Sequence, residues 1–157
     1  MPSTTPKGGR SNARRRSREL VLQGLYQRHV SRNDAAAVRM QLAESPGYER
    51  ADAGYFDELW RGLGEDADAV VERLAPLLDR RPSELSPVER AILAIGAWEL
   101  ERRPDIPYRV VINEAVELAK AYGGTDGHKF VNGVLDRHAA SVRAAEIGAR
   151  ARESGLS

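Results

Sequence analysis

Apolar residues recur along this chain at intervals of three and four, the spacing of helices that bury one face. No segment shows the sustained alternation of apolar and polar residues that is typical of a strand. The pattern therefore predicts an all-α protein, a single-domain bundle of about seven helices joined by short connections. We place these helices near residues 12–30, 34–44, 52–64, 66–80, 87–102, 108–122 and 127–145.

The boundaries of the later helices carry recognisable capping residues. Ser86 and Glu89 form a capping box around Pro87, which favours the first helical position, and the helix stops before Pro104. Because residues 87–102 are apolar on most sides, we predict that they form a central buried helix. The next helix opens at Pro107 and ends at the two glycines 123 and 124, after which Thr125 or Asp126 caps the last one.

Both ends of the chain look unlike the middle. Residues 1–11 are poor in apolar residues and contain proline and glycine, so we predict a disordered tail before a domain at 12–145. We expect residues 146–157 to be a second disordered tail. The arginine-rich start resembles a mitochondrial transit peptide, but prolines and glycines interrupt any amphipathic helix before Arg10, and we do not favour that interpretation.

Composition excludes several classes of protein. The chain has 157 residues, 41% of them hydrophobic, which is enough for one domain with its own core. It has no cysteine, so thiolate zinc sites, disulfides and thiol redox chemistry are excluded, and a reducing cytoplasm fits. No apolar run approaches the ~20 residues of a membrane span. We therefore expect a soluble cytoplasmic protein.

Charge is distributed unevenly. Residues 1–32 hold eight basic residues against one acidic residue, whereas residues 33–157 hold 16 against 22. A basic arm on an acidic body suggests two different partners, with phosphates bound locally at the arm because the acidic body would repel a nucleic acid elsewhere. The alternative is that the arginines are simply the solvated start of a helix.

Helical projection places charge at the end of a core stripe. Arg14 and Arg18 fall on the same face as Leu22 and Leu25, at spacings of four and three. Guanidinium groups do not stay buried without partners, so this end must overhang the body, pair with its acidic residues or await an anionic partner. We favour an overhang that binds an anion.

Two aromatic residues are candidate stacking platforms. Tyr26 follows Arg15 by eleven residues, or ~16 Å along one line of the helix, where it could stack on a base or simply edge the core. Phe130 projects beside the core face of the last helix, with Lys129 next to it as a charge for phosphate. Its alternative role is packing under a neighbouring helix.

Catalytic chemistry finds little support. The three histidines, 29, 128 and 138, show no metal-ligand spacing, and no phosphate-binding glycine motif is present. Glu114 and Glu117 lack a histidine partner, and His138 falls on a core face. We expect no enzymatic activity, no metal and no cofactor.

Several motifs together resemble a known family. They are A-R-R-R-S-R-E at 13–19, L-Y at 25–26, S-P-V-E-R-A-I-L at 86–93, P-Y-x-V-x-I-N-E-A-x-E-L-A-K at 107–120 and H-K-F-V-N-G-V-L-D at 128–136. The motifs occur in this order over about residues 12–145, and together they make the chain similar to the NusB family of bacterial transcription antitermination factors. The resemblance implies seven helices, no enzymatic activity and binding of boxA RNA with NusE, a small-subunit ribosomal protein. Such a complex helps RNA polymerase to read through terminators, notably in ribosomal RNA operons.

The resemblance also implies roles for individual residues. The arginine-rich motif would grip phosphates through Arg14, Arg15, Arg16 and Arg18. The family's aromatic residues near RNA fall on Tyr26 and Phe130, and an acidic position beside them falls on Asp126, which would accept a hydrogen bond from a base or cap the helix. Glu89 is our choice for the contact with NusE, in competition with its capping role.

Some features depart from the family or leave alternatives open. Gly127 stands where the family usually has serine, which removes a hydroxyl. A NusB-like domain also precedes the catalytic domain of some ribosomal RNA cytosine methyltransferases, although this chain has neither a catalytic cysteine nor a nucleotide-binding fold. A third hypothesis is a helical module that binds protein through its acidic face. Monomer and homodimer both remain possible, since a homodimer could bury the arginines.

Overall fold

The structure is a computed structural model that describes residues 7–155. Residues 1–6 and 156–157, which belong to the two predicted tails, lie outside the described residues. Within the described part there are eight α-helices and no strand, which confirms the prediction of an all-α fold of about seven helices. The helices are α1 (Lys7–Ser31), α2 (Ala35–Ala43), α3 (Ala53–Leu63), α4 (Ala67–Arg73), α5 (Pro87–Arg102), α6 (Tyr108–Tyr122), α7 (Gly127–Val142) and α8 (Ala144–Glu153). The chain divides into two compact units, Met1–Asp68 and Ala69–Ser157, which are described separately.

In the first unit, α1 packs closely against α2 and α3. A Cβ on Gly24 would lie 2.6 Å from the ring of Trp60, so only glycine allows α1 and α3 to approach this closely. Trp60 donates its indole N–H to the carbonyl of Ala35, which ties α3 to α2. The Ser17 hydroxyl donates to the Asp52 carbonyl at 2.7 Å, which fixes the start of α3 against α1.

In the second unit, α5 is surrounded by α6 and α7. Every residue from 90 to 100 is buried, which confirms the prediction of a central buried helix. A Cβ on Gly96 would meet the Leu135 side chain at 2.6 Å, so this glycine sets the close approach of α5 and α7. Ser86 caps α5 as predicted, because its hydroxyl accepts the N–H of Glu89 at 3.1 Å.

The two ends of the described chain differ from prediction. Helix α1 begins at Lys7, so residues 7–11 are helical where we predicted a disordered tail. Extending an existing helix backwards requires no new nucleus, and this offsets the weak propensity of the glycines. Helix α8 likewise occupies most of the predicted tail at 146–157.

Long-range contacts explain why α8 forms. Its Glu146 carboxylate accepts the N–H of Tyr108 at 2.9 Å, and so satisfies a free donor at the start of α6. Burial raises the pKa of Glu146, but this hydrogen bond and the ion pair with Arg143 outweigh it and hold the pKa below its ordinary value. Tyr108 lies 38 residues from Glu146 in sequence, so periodicity could not reveal this contact.

The predicted helix at 66–80 is also wrong in length. Helix α4 ends at Arg73, and residues 75–77 form a separate 3₁₀ turn. Pro76 has no backbone N–H and its ring obstructs the preceding turn, so it interrupts the α-helix. The segment after this turn is a loop that carries Asp79 and Arg80, which matter below.

Candidate nucleic-acid interface

The first unit carries an exposed arginine and aromatic surface on α1. Arg15 is exposed and Tyr26 is 43% exposed, and both lie on one line of the helix as predicted. Arg14 and Arg16, on either side of Arg15, are half-buried. We call Arg14, Arg15, Arg16 and Tyr26 the α1 surface.

Arg18 does not overhang the body, and the prediction that it awaits an anion in the open is wrong. Its side chain is only 3% exposed, and its guanidinium lies 5.4 Å from the centre of the Tyr55 ring on α3. Arg14 lies over the same ring at 4.7 Å. The negative face of the aromatic ring stabilises these cations, so the buried charge of Arg18 has a favourable partner in Tyr55.

Arg16 reaches the turn that follows α2. It donates to the Pro46 carbonyl at 2.7 Å and forms an ion pair with Glu19 at 3.4 Å. These contacts hold the Arg16 guanidinium in a fixed orientation across the turn.

In the second unit, the start of α7 holds three of the predicted residues. Asp126 precedes the helix with a left-handed φ of 65°, a conformation that aspartate tolerates better than most residues. Its side chain makes no capping hydrogen bond, so its predicted capping role is not realised. The Asp126 carboxylate lies instead 3.3 Å from the ammonium of Lys129, and both side chains are exposed.

Gly127, the departure from the family, lies against Glu89. A Cβ at position 127 would be 3.2 Å from a carboxylate oxygen of Glu89. Glycine therefore leaves space for this half-buried carboxylate at the start of α7. Glu89 lies beside the predicted RNA residues of this unit and contributes to the negative field at Arg80.

Phe130 is half-buried, and a guanidinium covers it. The guanidinium carbon of Arg80 lies 4.2 Å from the centre of the Phe130 ring. Arg80 also donates to the Asp79 carboxylate at 2.7 Å and 3.4 Å, and this two-pronged contact fixes the plane of the guanidinium. The hydrogen bond from Arg80 lowers the pKa of Asp79, and the Asp79 carboxylate raises the pKa of Arg80.

Sequence reasoning missed Arg80 and its neighbour Arg137. Arg137 donates to the Leu77 carbonyl at 2.9 Å, and its charge also lowers the pKa of Asp79. Arg80 falls at the end of the predicted helix at 66–80, where an exposed arginine is usually only a solvated side chain. The only available signal was the charged stretch between Pro76 and Pro82, which is typical of a loop.

The structure thus brings the predicted residues together as two sets. Arg14, Arg15, Arg16, Arg18 and Tyr26 lie in the first unit. Glu89, Asp126, Lys129 and Phe130 lie in the second. Each set combines positive charge with an aromatic ring, as single-stranded nucleic acids require of a binding surface.

His138 is buried in the core, as predicted. His138 is 8% exposed, and its ring nitrogen lies 2.8 Å from the Glu101 carboxylate. Burial raises the pKa of Glu101, but hydrogen bonds from His138 and Arg73 outweigh burial and lower it. Among residues 7–155 no three metal-ligating side chains come together, and no helix there is long and apolar enough to cross a membrane.

The fold and these surfaces define an all-helical protein whose exposed chemistry, arginine beside aromatic rings, is typical of proteins that bind single-stranded nucleic acids. The chain belongs to the NusB family, whose family model matches residues 15–140.

Individual relatives agree with this assignment. A transcription antitermination protein NusB from Ralstonia nicotianae is 54% identical over 145 residues, which cover 92% of this chain and 94% of the relative. A protein of the same name from Methylobacillus flagellatus is 56% identical over 142 residues, covering 90% and 91%. The solved structure of NusB from T. maritima has a TM-score of 0.72 and 32% identity, and covers 82% of this chain and 91% of that chain.

Proposed function

We propose that this protein is a non-catalytic transcription antitermination factor that binds boxA RNA of ribosomal RNA operons together with NusE. The observation that carries the proposal is the α1 surface, arginines and an exposed tyrosine along one helix, in a chain more than half identical to proteins named for transcription antitermination. The complex would act on RNA polymerase in the cytoplasm and promote read-through of terminators.

In this proposal, α1 binds the RNA backbone. Arg14, Arg15 and Arg16 supply guanidinium groups to phosphates, where they release counterions and donate paired hydrogen bonds. Arg18 is a positioning residue, since its burial on Tyr55 leaves little of it for a ligand. It supports the face from which its neighbours project.

Bases would be bound by stacking. Tyr26 is exposed along the same line as Arg15 and offers a ring face to a base. In the second unit, the exposed layer over Phe130 is the Arg80 guanidinium, itself a planar stacking surface. The Lys129 ammonium would leave the Asp126 carboxylate and bind a phosphate, and that carboxylate would then accept a hydrogen bond from a base amino group.

Replacing Arg80 tests whether its plane or only its charge contributes. We expect Arg80→Ala to weaken binding of single-stranded boxA RNA by about 5- to 20-fold, because one stacked base is lost. Arg80→Lys keeps the charge without the plane and should recover only part of the loss. Fluorescence anisotropy measures both. Arg81→Ala is the matched control, since Arg81 is more exposed and pairs with Glu84.

A different pattern in these variants would reject the stacking role. Equal affinity for Arg80→Lys and the wild type would mean that charge alone matters at this position. Equal affinity for Arg80→Ala and Arg81→Ala would mean that the RNA does not use this platform.

The acidic part of the chain would bind NusE. Residues 33–157 have six more acidic than basic residues, which suits a basic ribosomal protein. Glu89, at the first turn of α5, is the proposed contact. An RNA held by both proteins adds the free energies of two contacts, so NusE should tighten RNA binding.

The test is an anisotropy titration of boxA RNA and a scrambled RNA, with and without NusE. The proposal predicts tighter binding of boxA RNA, further tightening with NusE, and weakening as salt rises. Binding of NusE without binding of either RNA would reject it in favour of a helical module that binds only protein.

A further inference from the structure

Two arginine side chains converge on one turn in the first unit. The turn after α2 passes through Gly47 into a 3₁₀ turn at Tyr48–Arg50. A Cβ built on Gly47 would lie 2.8 Å and 2.9 Å from two guanidinium nitrogens of Arg16, and 2.9 Å from one of Arg50. The two guanidinium groups therefore come within about 6 Å of each other over a residue that has no side chain.

The backbone of the turn explains why glycine is needed here. Gly47 has a φ of 89°, in the left-handed region that other residues rarely adopt. A side chain at this position would be strained and would also occupy the space between the two guanidinium groups. Glycine thus allows the two guanidinium groups to meet over the backbone of this turn.

The protein neutralises this charge only in part. Arg16 pairs with Glu19, but its Nε is buried and has no hydrogen-bond acceptor in the structure. Arg50 is exposed, and within residues 7–155 its side chain makes no hydrogen bond or ion pair, not even with the adjacent Glu49. Like charges this close repel each other, and a buried N–H without an acceptor is unfavourable. An anion between the two guanidinium groups would relieve both effects.

The donors favour a phosphate. Guanidinium groups present N–H donors in a planar fork that matches two oxygens of one phosphate group. We propose that Arg16 and Arg50, over Gly47, form a phosphate subsite that takes one backbone phosphate of single-stranded RNA. The proposal rests on the proposed function and extends it: Arg16 adjoins Arg15 on α1, so a strand bound along the α1 surface continues onto this turn.

Arg50 can be replaced with little risk to the fold, because its side chain is exposed and makes no contact that the fold requires. We expect Arg50→Gln to weaken binding of single-stranded RNA by roughly 3- to 10-fold and to reduce the slope of log affinity against log salt by ~0.7, the loss of one phosphate contact. Arg61→Gln is the matched control, an exposed arginine at the end of α3 in the same unit. It removes the same charge and should change affinity less than about 2-fold.

A second measurement observes the donors themselves. The arginine Nε–H signals of the full chain are followed by NMR during titration with inorganic phosphate and, separately, with a short single-stranded RNA. We expect the Arg16 and Arg50 signals to shift with both, at a lower concentration for the RNA, because its other phosphates and bases are bound along α1.

The outcomes separate this inference from the proposed function. If the wild type binds RNA and Arg50→Gln behaves like Arg61→Gln, the subsite is rejected while RNA binding stands. If the wild type binds no RNA, the proposed function is rejected, and the phosphate titration decides the subsite by itself. Shifts confined to Arg16 and Arg50 would then support a site for free phosphate, and their absence would overturn it.

Discussion

Replacing Arg143 by methionine is expected to lower the free energy of unfolding by about 3–5 kcal/mol. Arg143 is 5% exposed and donates to four backbone carbonyls near the end of α5. The acceptors and distances are Leu100 at 2.8 Å, Ile106 at 2.9 Å, Glu99 at 3.3 Å and Arg103 at 2.7 Å. One side chain thus donates to the Leu100 carbonyl, which Pro104 cannot serve because it has no N–H, and places a positive charge at the negative end of the helix dipole.

Methionine fills similar space but donates no hydrogen bond, so the carbonyls of Leu100 and Ile106 would lose the donor that Arg143 provides, whereas those of Glu99 and Arg103 also accept backbone N–H groups. Urea unfolding followed by tryptophan fluorescence measures the loss, since Trp98 lies on α5 itself and the other tryptophan, Trp60, lies on α3. Arg152→Met is the control, because Arg152 is exposed on α8 and should change stability by less than about 0.5 kcal/mol. A loss below 1 kcal/mol for Arg143→Met would show that water replaces the guanidinium at the end of α5.

Reversing two charges on α1 is expected to weaken RNA binding by at least about 100-fold. The double variant Arg14→Glu and Arg15→Glu removes two phosphate contacts and adds two groups that repel the backbone. The slope of log affinity against log salt should fall by ~1.4 or more. Arg18 is left intact because it is buried against Tyr55, and its loss would confuse binding with folding.

The control for this variant reverses Arg61 and Arg152, two exposed arginines outside α1, and so reproduces the change in net charge. Thermal unfolding of both variants shows whether the fold is intact, since Arg14 also contacts the Tyr55 ring. If both double variants lose affinity equally, only net charge matters. If neither does, α1 is a solvated helix and the protein-binding hypothesis gains support.

Local signals explain which helices could be predicted. Helices α5 and α6 match their predicted ranges because capping residues, prolines and glycines mark their ends. Helix α8 has one large apolar residue, Ile147, and depends on contacts with Tyr108 and Arg143. The contact with Tyr108 joins segments far apart in sequence, and no short window of the sequence contains both partners.

The same distinction applies to the candidate interface. Projection of one helix places Arg15 and Tyr26 on one line, because helical geometry alone determines it, but the exposure of Tyr26 is known only from the structure. It cannot predict that Arg18 is buried, since Tyr55 comes from α3, nor that Arg80 covers Phe130 from a loop. Arg50 is similar, because only the folded turn at Gly47 brings it to Arg16.

The central claim, that RNA binds the arginine and aromatic residues of α1 in the first unit and those at the start of α7 in the second, is tested most directly by mapping cross-links. A boxA RNA carrying 4-thiouridine is irradiated in complex with the protein and NusE, and the modified peptides are identified by mass spectrometry. Our account predicts cross-links at α1 around Tyr26 and at the start of α7 around Phe130. Cross-links confined to other helices, with these two segments unmodified, would contradict it.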